Sequence, residues 1–294
     1  MNSPISPLRY PGGKAKISTF IGDLININNI NNCTICELYA GGSGASLSAL
    51  FSGFCKRIFI NDLDYHIYSF WSSILNSTNA FISLIENTPV DMESWYIQKD
   101  IYKRYECFSQ LEIGFSTLFL NRCNRSGILN AGPIGGKDQN GNYKIDVRFN
   151  KRDIINRILA IAERKNKIEV RNIESIDFLR EIFSNTNEPY LIFLDPPYYM
   201  QGENLYYNFY TDNDHKRLAI ILNENRNSNW LLTYDNCEKI KDLYSTFNKA
   251  YLPMTYTLQD KRKSKELMIF SDNLYIPKTI RIGSRSKLLS IANI

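Results

Sequence analysis

Four consecutive residues, Asp195-Pro196-Pro197-Tyr198, could carry chemistry by type and by place. They follow the apolar run Tyr190-Leu191-Ile192-Phe193-Leu194, which predicts a buried strand. Proline neither donates to a sheet ladder nor continues a helix, so the strand must stop there. The stop leaves a carboxylate, the Pro196 carbonyl, the rigid Pro197 and the Tyr198 ring at one sheet edge. In an open α/β sheet, ligands bind at the carboxyl ends of strands. Two acceptors beside a stacking ring suit a planar amine, such as the exocyclic amino group of a base. The tetrapeptide alone does not separate this from an ordinary strand-to-loop turn, so a second motif must decide.

That motif lies upstream. Thr34–Ala40 reads as a strand, Gly41-Gly42-Ser43-Gly44 as a tight turn, and Ala45–Phe51 as a helix. Strand, glycine turn and helix bring a cofactor close to the backbone and to a helix N-terminus. The spacing is not G-x-G-x-x-G, so the dinucleotide fingerprint is not met. An acid ending a second strand about 20 residues on would hold ribose hydroxyls. Here Arg57–Ile60 is that strand and Asn61-Asp62 closes it. Each element alone is also consistent with a plain turn and a helix cap; the three together point to nucleoside-cofactor chemistry.

With these motifs in order, the chain resembles the Dam-type (D12 class) DNA adenine N6-methyltransferases. Pro7-Leu8-Arg9-Tyr10-Pro11-Gly12-Gly13-Lys14 resembles the family's N-terminal aromatic-x-Gly-Gly-Lys motif. Glu37–Gly44 resembles its cofactor loop, Asn61–Asp64 its second-strand acid motif, and Asp177-Phe178 its acid–aromatic pair near the cofactor adenine. Asp195–Tyr198 resembles its catalytic motif. The resemblance implies S-adenosyl-L-methionine as cofactor and an adenine in double-stranded DNA as substrate. It implies a Rossmann-like α/β fold with a central mixed sheet flanked by helices. It further implies that Tyr10, Lys14, Glu37, Gly41, Gly44, Asp62, Asp177, Phe178 and Asp195 contact the cofactor.

The chemistry follows from the residues. The amino nitrogen of adenine is a weak nucleophile, and inside a duplex it is out of reach, so the base must be flipped out. Asp195 and the Pro196 carbonyl would accept its two hydrogens and hold it in line with a sulfonium methyl. Tyr198 would stack on the base. Serine commonly leads this motif in cytosine N4 methyltransferases and asparagine in protein-glutamine methyltransferases, so Asp195 favours adenine. An RNA base as substrate stays open, as does a protein that binds DNA and cofactor without turnover.

Organisation follows motif order. Residues 1–66 and 150–294 are expected to form a discontinuous catalytic domain, with 67–149 inserted as a mainly helical target-recognition lobe carrying a β-hairpin. Aromatic and apolar residues at three- and four-residue spacing (Trp71, Ile74, Trp95, Tyr102, Phe115, Phe119) predict helical packing in this lobe. Asn140-Gly141 is a two-residue hairpin signal. Around it, Arg122, Asn124, Arg125, Lys137, Lys144 and Arg148, with Lys151 and Arg152, could reach phosphates or base edges. The wording here departs from the GATC-reading members, so no recognition sequence carries over. A second basic run, Lys261–Lys265, is expected in a hairpin between strands 251–258 and 266–270.

Composition sets the limits. At 294 residues with 44% hydrophobic content, the chain can bury a large core. A net charge of +5 permits a nucleic-acid partner without requiring one. No apolar run reaches the ~18 residues of a membrane span. Met1-Asn2-Ser3-Pro4 shows no secretory pattern, so a cytoplasmic, nucleoid-associated protein of a bacterium or phage is expected, with or without a restriction or defence partner. Cys33-x-x-Cys36 lacks a second pair for a zinc site and reads as buried strand residues. His66 and His215 stand apart without ligand spacing, so no metal is expected.

Overall fold

The computed structural model describes residues 5–10, 14–184, 188–200, 210–255, 263–282 and 285–292. These fall into two compact units, Lys14–Leu63 with Ile173–Ile294, and Met1–Gly13 with Asp64–Asn172. Pro11–Gly13 of the N-terminal motif and Lys261 and Arg262 of the second basic run lie outside the described residues.

The first unit is a sheet with helices. Its strands are β1 (Thr34–Glu37), β2 (Arg57–Asn61), β4 (Tyr190–Leu194), β5 (Trp230–Asp235), β6 (Asn248–Thr255), β7 (Lys263–Phe270) and β10 (Ser290–Ala292). Within the unit they lie in the order β10-β6-β7-β5-β4-β1-β2. Strands β2, β1, β4 and β5 are parallel. Parallel strands covered on both faces need apolar side chains at every position, and Leu191–Leu194 are all fully buried. Strand β7 runs antiparallel between β5 and β6. A separate ribbon pairs β8 (Thr279–Ile282) with β9 (Arg285–Leu288).

Strand β1 is flanked by β2 on one side and β4 on the other, so the chain's path reverses there. Such a switch point leaves a crevice outside the carboxyl ends of the strands. Helices α1 (Ser18–Ile27) and α2 (Gly44–Phe51) follow the first elements, α8 (Ser175–Ser184) precedes β4, and the helix Asp212–Glu224 precedes β5. Cys36, Phe178, Ile192, Leu222, Trp230 and Ile269 are among the residues of the core on one sheet face.

The second unit is helical: α3 (Tyr65–Asn76), α4 (Thr78–Asn87), α5 (Met92–Lys103), α6 (Gln110–Cys123) and α7 (Lys151–Ala162), followed by the short β3 (Ile168–Arg171). Helix α6 is its axis. Ile113–Cys123 are all buried, as in a helix packed on every side. Ser109 and Glu112 close its N-terminus as a reciprocal capping box. Gly114 lets α3 approach, since a Cβ there would sit 2.6 Å from the Ser69 carbonyl oxygen.

Two features depart from what the sequence suggested. The helical unit takes in residues 1–13 and 64–172, where 67–149 was expected, and α7 packs into it. Ile154, Ile158 and Ile161 are buried, and Lys151 donates to the carbonyls of Glu86 and Thr88. Nor is there a β-hairpin at Asn140-Gly141: no strand lies between residues 124 and 149 beyond an isolated bridge, Asn124 to Pro133. The segment is instead a compact loop stapled by one side chain. Gln139 accepts from the Ile145 amide and donates to the carbonyls of Ile134 and Gly136. A side-chain amide thus replaces the ladder that a hairpin would have made.

Candidate active site

Glu37, the last residue of β1, sets the first half of the site. Its carboxylate accepts from Ser43 Oγ at 2.9 Å, from the Ser46 amide at 3.3 Å and from Ser46 Oγ. Ser43 opens α2 in the left-handed conformation and makes no side-chain cap of its own. Glu37 therefore caps α2 from the neighbouring strand, at the positive end of the helix dipole. Burial pushes its carboxyl up to about 7, although the serine hydrogen bonds pull the other way.

The turn between β1 and α2 is held from the second strand. Gly41, at φ +45°, donates its amide to Asp62 Oδ2 at 2.8 Å. Asn61 bonds to the Leu38 carbonyl and to both backbone groups of Ile173. A half-exposed acid at the end of β2, beside a glycine turn in the left-handed region, fits a ribose diol with a backbone approached closely by its ligand.

The second half is built on β4. Pro196 and Pro197 are buried. Asp195 is held on both carboxylate oxygens: Thr233 of β5 donates to Oδ1 at 2.6 Å and Lys14 to Oδ2 at 2.8 Å. Lys14 opens the short 3-10 helix Lys14–Ile17 and also donates to the Tyr198 hydroxyl at 2.9 Å. Its ammonium lies 3.0 Å from Glu266 Oε1 on β7. Burial lowers the Lys14 pKa, but Asp195 and then Glu266 outweigh that, and the net shift is upward. Beyond the motif, Asp235 accepts from the amides of Tyr199 and Met200 and fixes the exit of the loop.

Of the expected cofactor residues, Lys14, Glu37, Gly41, Asp62 and Asp195 are tied into this sheet edge, where Gly44 begins α2. Tyr10 is half-buried in the N-terminal segment of the helical unit. Asp177 sits on α8, exposed and ion-paired with Arg180 at 2.8 Å. Phe178 is a core residue stacked on Phe59. Their helix is capped by Glu174, which accepts from the Ile176 and Asp177 amides.

The expected DNA contacts divide by burial. Arg125, Lys137, Lys144 and Arg148 are exposed, as is Tyr143. Arg122 and Asn124 are buried and bonded internally. Asn124 is fully buried; it accepts from Trp95 Nε1 and donates to the carbonyls of Ile128 and Leu129. Arg122 donates to the Arg148 carbonyl, and burial, then Arg157, pulls its pKa down to about 10. Both histidines are buried and bonded, His66 to Asp64 and the Tyr102 carbonyl, His215 to the Tyr234 hydroxyl. Cys33 and Cys36 are buried free thiols. Among the described residues no cluster could hold a metal ion, and no helix is long and apolar enough to cross a membrane.

Sequence reasoning missed Thr233 and Glu266. The one signal for Glu266 was an acid heading the apolar run Leu267–Phe270.

A mixed sheet, parallel from β2 to β5, with acids gathered at the carboxyl edge beside its switch point, defines an α/β protein. The chain matches the D12 class N6 adenine-specific DNA methyltransferases across residues 10–258, and it belongs to that family. Its fold is the Rossmann-like methyltransferase fold, and the family is one that methylates adenine in DNA and implies the use of S-adenosyl-L-methionine. Two solved structures are similar at low identity. A conserved hypothetical protein of Streptococcus pyogenes matches at 12% identity, TM-score 0.33, over 86% of this chain and 97% of its own. The rRNA methyltransferase AviRa of Streptomyces viridochromogenes matches at 10% identity, TM-score 0.35, over 93% and 89%. No curated protein matches in sequence.

Glu37 gives a pH prediction. Its folded pKa, about 7, lies above its ordinary value of 4.5, so the folded state holds a proton that the unfolded chain has lost. Its contribution to stability must fall as pH rises between those values. Denaturant unfolding of Glu37→Gln against the parent, from pH 4.5 to 7, should show that slope removed; parallel pH profiles would contradict it.

Proposed function

We propose that this protein is a site-specific DNA methyltransferase acting on the N6 amino group of an adenine flipped out of double-stranded DNA. The observation that carries the reading is Asp195, held on both oxygens by Thr233 and Lys14 at the end of β4, with Tyr198 anchored to the same lysine. A carboxylate fixed in this way presents its remaining acceptor positions in one orientation, which is what an amino group with two hydrogens needs.

S-Adenosyl-L-methionine supplies an electrophilic methyl group. Asp62 would hold its ribose, and the Gly41–Gly44 turn would lie against its methionine portion. Glu37 acts on the cofactor through the turn it supports. Asp195 and the Pro196 carbonyl would accept the two amino hydrogens and favour loss of ring conjugation at the nitrogen. As the nitrogen took the methyl group and the carbon–sulfur bond broke, one of those protons would pass to the Asp195 carboxylate and from there to solvent. Flipping costs a few kcal/mol, and stacking on the Tyr198 ring would offset about 1–3 kcal/mol.

The helical unit supplies the DNA-binding surface in this reading. Arg125, Lys137, Lys144 and Arg148 are exposed on and around the loop stapled by Gln139, with the exposed Tyr143 among them. A cationic loop that is internally braced loses little entropy on binding.

Asp195→Ala tests the catalytic assignment. Methyl transfer to DNA should be lost, while calorimetric binding of S-adenosyl-L-methionine stays within a few-fold of the parent. Retained turnover would contradict the assignment. For the loop, Lys144→Glu with Arg148→Glu should weaken DNA binding and lower the salt dependence of affinity by about two charge equivalents. An unchanged salt slope would place DNA recognition elsewhere.

A further inference from the structure

Glu266 has no role in the chemistry above, yet it is 2% exposed and lies against the lysine that holds Asp195. It stands opposite Asp235 of β5 and Leu252 of β6. Among the described residues no donor other than the Lys14 ammonium, 3.0 Å away, stands at its carboxylate oxygens. That ammonium is therefore the charge that compensates it. Burial is the largest influence on the Glu266 carboxyl and pushes its pKa up; Lys14 opposes that shift.

Such an acid is poorly explained by stability. A buried ion pair is often neutral or worse than apolar residues of the same volume. The neighbours Leu267–Phe270 are apolar and fully buried, so an apolar residue would suit the strand. What Glu266 does is give Lys14 a third direction. Asp195 at 2.8 Å and the Tyr198 hydroxyl at 2.9 Å both belong to the loop after β4. Glu266 belongs to β7, whose pairing with β5 is fixed by a five-residue register.

We propose that Glu266 is a positioning residue of the methyl-transfer site: it anchors the Lys14 ammonium to β7, so that Lys14 orients the Asp195 carboxylate and the Tyr198 ring together. This rests on the methyltransferase reading above. Without the anchor, the ammonium moves toward Asp195 and competes with the target amino group for its oxygen. The loss falls on the chemical step, and binding of cofactor and DNA is spared.

Glu266→Gln, which keeps the volume, is the first test. It should lower kcat about tenfold or more, with cofactor Kd and the KM for DNA within about threefold of the parent. Parent-level kcat, or a loss confined to KM, would overturn the proposal. Lys14→Met should lower kcat as well, and adding Glu266→Gln should cost little more, because both remove one linkage. Multiplying losses would mean that Glu266 acts independently of Lys14. If the parent protein transfers no methyl group, it is the functional reading that fails, and melting temperatures decide the anchor. Lys14→Met strands a buried carboxylate and should lower the melting temperature, and Glu266→Gln added to it should recover part of that drop. No recovery would overturn the anchor. Lys14→Gln replaces Lys14→Met if the latter does not fold.

Discussion

The site depends on a buried ammonium shared between two carboxylates. Taking Lys14 out of water is unfavourable by itself, and Asp195 and Glu266 reverse that penalty. The three residues come from distant parts of the chain: a short N-terminal helical turn, the end of β4 and the middle of β7. They meet because β7 is antiparallel. A parallel strand in its place would bring its last residues to the edge where β4 and β5 end. The reversed strand brings its early residues there, and Glu266 lies opposite Asp235, the last residue of β5. Strand direction thus decides which side chain completes the charge balance.

The other half of the edge uses its acids structurally. Glu37 is committed to the N-terminus of α2, and Asp62 to the Gly41 amide. These bonds hold the turn between β1 and α2 in a left-handed conformation that would otherwise be open to rearrangement. The same carboxylates that resemble cofactor ligands in sequence therefore also build the cradle. Strands β2 and β4 flank β1, so their ends lie roughly 10 Å apart at about 4.8 Å per strand. That separates Asp62 from Asp195 by one strand, with the turn of β1 between them.

Much of this edge was legible in the sequence because its signals are local. The run Tyr190–Leu194 stopped by two prolines is β4, and the stretch closed by Asn61-Asp62 is β2. The glycine turn before Ala45 begins α2. What was not legible shares a cause: tertiary partners that no local pattern encodes. Glu266 is identified by Lys14, about 250 positions away. Asp177-Phe178 matches a motif in letters, and only the structure shows that Glu174 starts a helix just before it, with Asp177 exposed and Phe178 buried. Asn140-Gly141 carried a hairpin signal without strands, and Gln139 took over the backbone groups. Arg122 and Asn124 looked like contacts because they are polar beside glycines, whereas the buried end of α6 uses them to satisfy carbonyls.

Which atom receives the methyl group separates adenine methylation from its rivals. The direct measurement is incubation with labelled S-adenosyl-L-methionine and unmethylated double-stranded genomic DNA, followed by nucleoside analysis of the product. Label should appear in N6-methyladenine, at a defined set of sites. Label in N4-methylcytosine, or bound cofactor with no label in DNA, would contradict it.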